Sequence, residues 1–364
     1  MDTATFFMLN FNAHNLLNSI SLPRFKFTSM LSVFLAAGFA LPVLADEEVN
    51  VYSARKEALI KPMLDRFEEE SGVTVNLITG SADALLRRLQ VEGEYSPADI
   101  FITVDAGRLH RAKEAGVLQP FQTANIDKLV PAHLRDSDDY WYSLSQRSRT
   151  IFYAKDRVDV TQLSSYEALA DEQWKGRICV RSSGNIYNQS LVSSMIEVNG
   201  EDATQGWVKG LMSNLARPPF GGDTDLLKAV ATGVCDITIA NTYYFGRMMK
   251  SDNATDKLVA EKVGVFWANQ AASDRGVHMN VSGAGITAAS VNKDSAIKLI
   301  EFLLSDEAQT WYADVNNEYP VVEGIAPPIN LASFGDFRAD TISLTKLGDN
   351  NLKAVKIMDM AGWK

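Results

Sequence analysis

The sequence predicts an α/β protein built as two domains, and three observations carry that prediction. From residue 49 onward, short apolar strands alternate with amphipathic helical stretches, the pattern of sheets covered by helices. The chain has 364 residues, and even without an amino-terminal leader it exceeds what one hydrophobic core comfortably holds. Two stretches, 141–153 and 277–286, read as crossings out of one domain and back again. The expected boundaries are a leader over 1–45, a first lobe of 46–148 plus 276–325, and a second lobe of 149–275 plus 326–364.

The leader is legible in its parts. Arg24 and Lys26 precede an apolar run from Met30 to Leu44, which ends in Val43-Leu44-Ala45. This is a basic segment, a hydrophobic segment and a small-residue cleavage site, with the cut expected after Ala45. The run falls short of the roughly 20 apolar residues that span a bilayer. Losing Asp2, Arg24 and Lys26 with the leader takes the net charge from −10 to −11. An acidic balance argues against nucleic acid and anionic membranes as partners, and is neutral to mildly favourable for a cation. The two cysteines, Cys179 and Cys235, allow a disulfide in an exported chain; two buried thiols are the alternative.

In chain order, Val49–Tyr52 is a strand and 53–57 a loop. A helix follows from about Ile60 to Glu70, with Met63, Leu64 and Phe67 on one stripe, Pro62 in its first turn and Gly72 as its stop. Val73–Leu77 is a strand, Gly80-Ser81 caps a helix over Ala82–Val91, and Asp99–Thr103 is a strand after which Asp105 caps a helix to about Ala115. This alternation predicts a parallel sheet whose ligand sits at the carboxyl ends of the strands. Beyond the first crossing come strand Arg177–Val180, helices Gln189–Glu197, Asp202–Asn214 and Asp223–Thr232, and strand Asp236–Ala240. Gly283 and Gly285 suit the second crossing to a hinge. Helices Asn292–Leu304 and Asp306–Val315, a loop at Pro327-Pro328 and a last helix ending near Met360 complete the chain.

The chemistry concentrates at Tyr243 and Tyr244. Asn241 and Thr242 are good helix caps after the preceding strand, so both phenols fall in the first turn of a helix. Neighbours on a strand face opposite sides, but at a helix start they lie about 100° apart and can share one cleft. The helix dipole there favours an anion. A phenol has a pKa of about 10, and a hard trivalent cation can displace its proton. Cys179 lies eight residues before Tyr187, as Cys235 lies eight before Tyr243, and Gly184-Asn185-Ile186-Tyr187 repeats the cap-then-tyrosine order. If the two strands are neighbours, three phenols converge. No phosphate loop, dinucleotide fingerprint, zinc-type His/Cys cluster or nucleophile elbow is present, so a non-enzymatic role is expected. Tyr52 reads as packing and His278 as a structural hydrogen-bonding group.

Five blocks, Val49–Arg55, Ala98–Arg108, Arg181–Ser190, Ala240–Arg247 and His278–Gly285, together resemble the ferric-iron-binding periplasmic proteins of ABC importers, the FutA and FbpA group. The resemblance covers essentially residues 48–364. It implies a two-lobed type II periplasmic binding protein fold, with a hinge of crossing strands and the ligand cleft between the lobes. It also implies Fe(III) as transported ligand, an inner-membrane ABC permease as partner, a monomer in the periplasm, and a synergistic anion such as carbonate. By position, Tyr187, Tyr243 and Tyr244 match the family's tyrosine ligands. Many FutA relatives carry His-Tyr after the opening Tyr-Ser-x-Arg, and that tyrosine is their fourth ligand; this chain has Lys56-Glu57 there. Glu57 is therefore the expected fourth donor, a hard carboxylate oxygen, with water or an anion as the alternative. Lys56 would hold an anion. Arg147 and Arg247 align with arginines near the iron, where they would favour ionised phenols or hold that anion. Other readings are a same-fold binder of an anionic or organic solute, and an exported enzyme with catalytic tyrosines.

Overall fold

A computed structural model describes residues 47–364, so the leader and its cleavage site lie outside the described residues. Strand β1 (Glu48–Ser53) runs parallel to β2 (Thr74–Thr79) on one side and to β3 (Ile100–Val104) on the other. Helices α1 (Lys61–Ser71) and α2 (Ala82–Glu92) make the crossovers. Their ends follow from local chemistry. Pro62 occupies the first turn of α1, and Gly72 closes it at a φ of 73°. Ser81 accepts the Ala84 N–H at the start of α2, a cap worth about 1 kcal/mol. Asp105 caps α3 (Ala106–Glu114) in the same way through the Gly107 N–H. Strand β4 (Leu118–Gln119) and helix α4 (Ala124–Leu129) follow.

The first expected crossing is the 13-residue strand β5 (Tyr142–Ala154). Its first half pairs with β9 (Met279–Thr287), the second expected crossing. Its second half pairs with β7 (Ile237–Asn241) and β8 (Val263–Phe266). The sheet order is β2-β1-β3-β9-β5-β7-β6, with β6 at Ile178–Cys179, β4 on β9 and β8 on β5. The sheet is mixed rather than parallel. β9 opposes β3 and β5, and β5 opposes β7, because one crossing strand leaves and the other returns. An isolated bridge was not expected: Gln146 and Tyr319 exchange both backbone hydrogen bonds at 2.7 Å.

Beyond β5 the helices are α5 (Ile186–Asn199), α6 (Glu201–Ser213), α7 (Asp223–Ala231), α8 (Thr242–Met249) and α9 (Ala254–Lys262). Helix α5 starts three residues earlier than its apolar pattern indicated, because Asn185 accepts the Tyr187 N–H as its cap. Helices α10 (Lys293–Leu303) and α11 (Asp306–Trp311) match expectation, but α11 passes into a widened π turn over Tyr312–Asn316, ended by Asn317 at a φ of 57°. Helices α12 (Ile329–Ala332), α13 (Thr345–Asp349) and α14 (Asn351–Met360) finish the chain.

The apolar core separates into clusters. One collects Val51, Ile100, Leu109, Trp141, Val281, Leu299 and Leu347; another collects Ile151, Trp174, Leu191, Trp207, Ile237, Met279 and Met358. The carboxyl-terminal helices contribute to both. Gly348 of α13 lies so close to α3 that a Cβ there would meet the His110 ring at 2.0 Å, so only glycine allows this approach. Asn350 and Asn351 then reach Glu197 and Gln189 of α5, which fixes α5 from behind.

Candidate metal-binding site

Strands β6 and β7 are neighbours and parallel, with Cys179 opposite Thr238. Cys179 and Cys235 are disulfide-bonded, with Cα atoms 5.9 Å apart. Each strand then runs through an asparagine into a helix start, Asn185 into α5 and Asn241 into α8. Tyr187, Tyr243 and Tyr244 consequently line one cavity of about 180 Å³, together with Ala54, Arg55, Lys56, Leu59, Val104, Arg247, Asn316 and Glu318. The Tyr243 hydroxyl donates to the Tyr187 hydroxyl at 3.2 Å, and the Tyr243 and Tyr244 rings lie 4.4 Å apart. A larger hollow of about 450 Å³, between Leu89, Val117 and Ala289, is lined mainly by small side chains and gathers no comparable chemistry.

The arginines surround the phenols. The Arg147 and Arg181 guanidinium carbons lie 5.5 and 5.7 Å from the Tyr187 ring centroid, and that of Arg247 lies 4.9 and 5.0 Å from the rings of Tyr243 and Tyr244. Arg147 is buried, 3.7 Å from Asp105, and neither of its terminal nitrogens has a hydrogen-bond partner. Cation–aromatic contact of this kind stabilises the arrangement. It does not ionise the phenols. Burial pushes the Tyr187 phenol above its ordinary value, and the neighbouring Tyr244 adds to this, against the pull of Arg147. Burial pushes Tyr243 well above its ordinary value, helped by Tyr187 and Tyr244 and again opposed by Arg147. Desolvation thus outweighs the favourable charges expected from sequence, and a cation taking these oxygens as ligands would have to displace the phenol protons itself.

Lys56 is exposed at the cavity mouth. Glu57 is also exposed, in a short 3₁₀ turn, and is not among the cavity-lining residues. The carboxylate that does line the cavity is Glu318. It is buried, accepts from Arg55 Nη2 at 3.1 Å and is hydrogen-bonded by Ser145. Sequence reasoning missed both Glu318 and the pairing of Arg55, which stands 263 residues away; no local pattern signals such a partner. Arg55 Nε and Nη1 have no partner. Tyr52 is buried with its hydroxyl on Glu92, as a packing residue should be. His278 is buried, and its Nε2 has no partner, so the expected side-chain hydrogen bonding is not seen at that atom. Among the described residues no group of three His, Cys, Asp or Glu side chains converges as a metal site, so the converging donors here are phenols.

Residues 96–333 match the model of the bacterial extracellular solute-binding protein family. Iron uptake protein A1 of Synechocystis is 48% identical over 318 residues, covering 87% of this chain and 88% of its own length. The Trichodesmium FutA structure, in complex with iron and citrate ligands, superposes with a TM-score of 0.84 at 46% identity, covering 87% of this chain and 100% of that one. The Mannheimia haemolytica ferric iron-binding protein A, in an open conformation, gives 0.81 at 42% identity, covering 87% and 99%. This chain belongs to the bacterial extracellular solute-binding proteins, with the two-lobed type II periplasmic binding fold, and within them to the FutA and FbpA group.

Proposed function

We propose that this protein captures Fe(III) in the periplasm, as the solute-binding component of an ABC importer, and delivers it to an inner-membrane permease. The single observation that carries the proposal is the convergence of Tyr187, Tyr243 and Tyr244 on one cavity from two adjacent helix starts. Three phenolates offer hard oxygen donors and balance the +3 charge, a donor set that suits ferric iron and disfavours nitrogen- or sulfur-seeking metals. The relatives named above are iron-uptake and ferric-iron-binding proteins, which supports the same reading.

The remaining coordination positions fall to an anion such as carbonate. Glu57 faces solvent outside the cavity, whereas Arg55 and Arg147 hold unpaired N–H groups in buried side chains beside it. Lys56 and Arg247 add positive charge to the same cavity. A buried donor without a partner costs about 1–3 kcal/mol, and an anion bridging the arginines and the metal removes that cost. Closure of the two lobes, 46–148 with 276–325 and 149–275 with 326–364, over the crossing strands would bury the loaded site. The protein acts as a monomeric carrier and not as an enzyme.

Glu57→Gln separates the two candidates for the fourth donor. With an anion completing the shell, ferric affinity measured by competition against a chelator stays within about twofold of wild type, and omitting bicarbonate weakens both proteins alike. If Glu57 swings in as a ligand, the substitution costs tenfold or more, on the order of 1.4 kcal/mol, and bicarbonate has little effect.

A further inference from the structure

One buried cation near the site donates to none of the three cavity phenols. Arg149 stands on β5 and is almost fully enclosed. Its Nη1 donates to Asp223 at 2.9 Å and to the Asn241 side-chain oxygen at 3.0 Å. Its Nη2 donates to the Asn188 side-chain oxygen at 2.7 Å and to the Ile239 carbonyl at 3.0 Å. These partners have one thing in common. Asn188 immediately follows Tyr187 on α5, and Asn241 caps α8 just before Tyr243 and Tyr244. Asp223 opens α7, accepts the Asn241 backbone N–H at 2.9 Å and accepts Arg181 at 3.1 Å. Asn188 in turn donates to the Arg181 and Ser182 carbonyls at 3.1 Å each, tying down the loop that leads into α5. Asn241 Nδ2 reaches back to the Tyr243 hydroxyl at 3.4 Å.

We infer that Arg149 is a positioning residue for metal capture: its guanidinium spans the starts of α5 and α8 and so sets the separation of the phenol oxygens. This rests on the iron reading above. A planar fork donating in fixed directions holds two elements in orientation as well as distance, which a lysine cannot do. The network is buried, so each bond is strong and the loss of one is felt by the others. The phenols themselves make only one mutual hydrogen bond, the 3.2 Å contact of Tyr243 with Tyr187. Their geometry before metal arrives therefore depends on the elements that carry them, and a shift of about 0.5 Å is enough to degrade a binding constellation.

The test compares Asn188→Ala, which removes one acceptor of Arg149, with Arg149→Lys, which keeps the charge and removes the fork. Asn214→Ala serves as a control, because Asn214 is equally buried, bonds the Leu169 and Asp171 carbonyls and lies away from the phenols. Melting temperature, ferric affinity against citrate and the visible spectrum of the iron-loaded protein are measured for each. Asn188→Ala and Arg149→Lys should weaken ferric affinity about 10- to 100-fold, the range for groups that orient metal ligands, and shift the iron–phenolate absorption maximum. Asn214→Ala should lower the melting temperature and leave the absorption maximum and affinity near wild type. If Arg149→Lys does not fold, Asn188→Ala alone decides. Wild-type affinity and spectrum in Asn188→Ala overturn the inference, as does an affinity loss matched by Asn214→Ala at equal destabilisation. A wild-type protein without an iron–phenolate band would instead overturn the iron reading and this inference with it.

Discussion

Replacing Tyr243 and Tyr244 together by phenylalanine should abolish high-affinity ferric binding, and each single replacement should weaken it on the order of 100-fold or more, about 3 kcal/mol. The substitution removes an oxygen donor and keeps the ring. Packing should survive, since the two rings lie against each other at 4.4 Å, tilted by 35°, and phenylalanine fills the same space. The hydrogen bond from Tyr243 to Tyr187 is lost, at a stability cost near 1 kcal/mol. Tyr187→Phe should behave like either single replacement. Competition against a chelator, with thermal melting of the iron-free proteins alongside, separates lost coordination from lost folding. A double variant that keeps wild-type affinity would show that the tyrosines only pack.

The second large effect is pH. Tyr187 and Tyr243 have phenols raised above their ordinary value by burial, so before metal arrives both are neutral across the physiological range. Each phenol that becomes a metal ligand therefore releases its proton. The protons of Tyr187 and Tyr243 alone make log affinity rise by about 2 for each pH unit, so that lowering the pH from 7 to 6 weakens binding by at least about 100-fold. The sign follows from the protons: acid returns them to the phenols and expels the metal, and alkali favours capture. Ferric affinity measured across pH 5–8, corrected for protonation of the competing chelator, should show this slope. A slope near zero would mean that the donors are groups already ionised in the empty protein.

Much of this was legible in the sequence, because the cues were local. Gly72, Ser81 and Asp105 marked helix ends, and the equal spacing from each cysteine to its tyrosine brought three phenols together on the condition that β6 and β7 are neighbours, which they are. The placement of Tyr187, Tyr243 and Tyr244 at helix starts came from Asn185 and Asn241, the residues from which those helices begin. What was not legible is long-range. The mixed direction of the sheet depends on how β5 and β9 traverse it, which periodicity does not encode. The Tyr319 bridge to Gln146 and the Glu318 pair with Arg55 join residues far apart in the chain, at a turn with no repeating pattern. Glu57 stands at a donor's place in a motif, but the exposed 3₁₀ turn that carries it outside the cavity lining could not be read from composition.

Ferric iron binding through phenolate oxygens is tested most directly by the visible absorption spectrum. Ferric citrate added to the purified chain from residue 46, followed by removal of unbound iron, should give a coloured protein with one iron per chain. Its broad ligand-to-metal charge-transfer band should be strongly reduced in Tyr243→Phe and in Tyr244→Phe. A protein that retains iron yet stays colourless, or that retains none, would contradict the account.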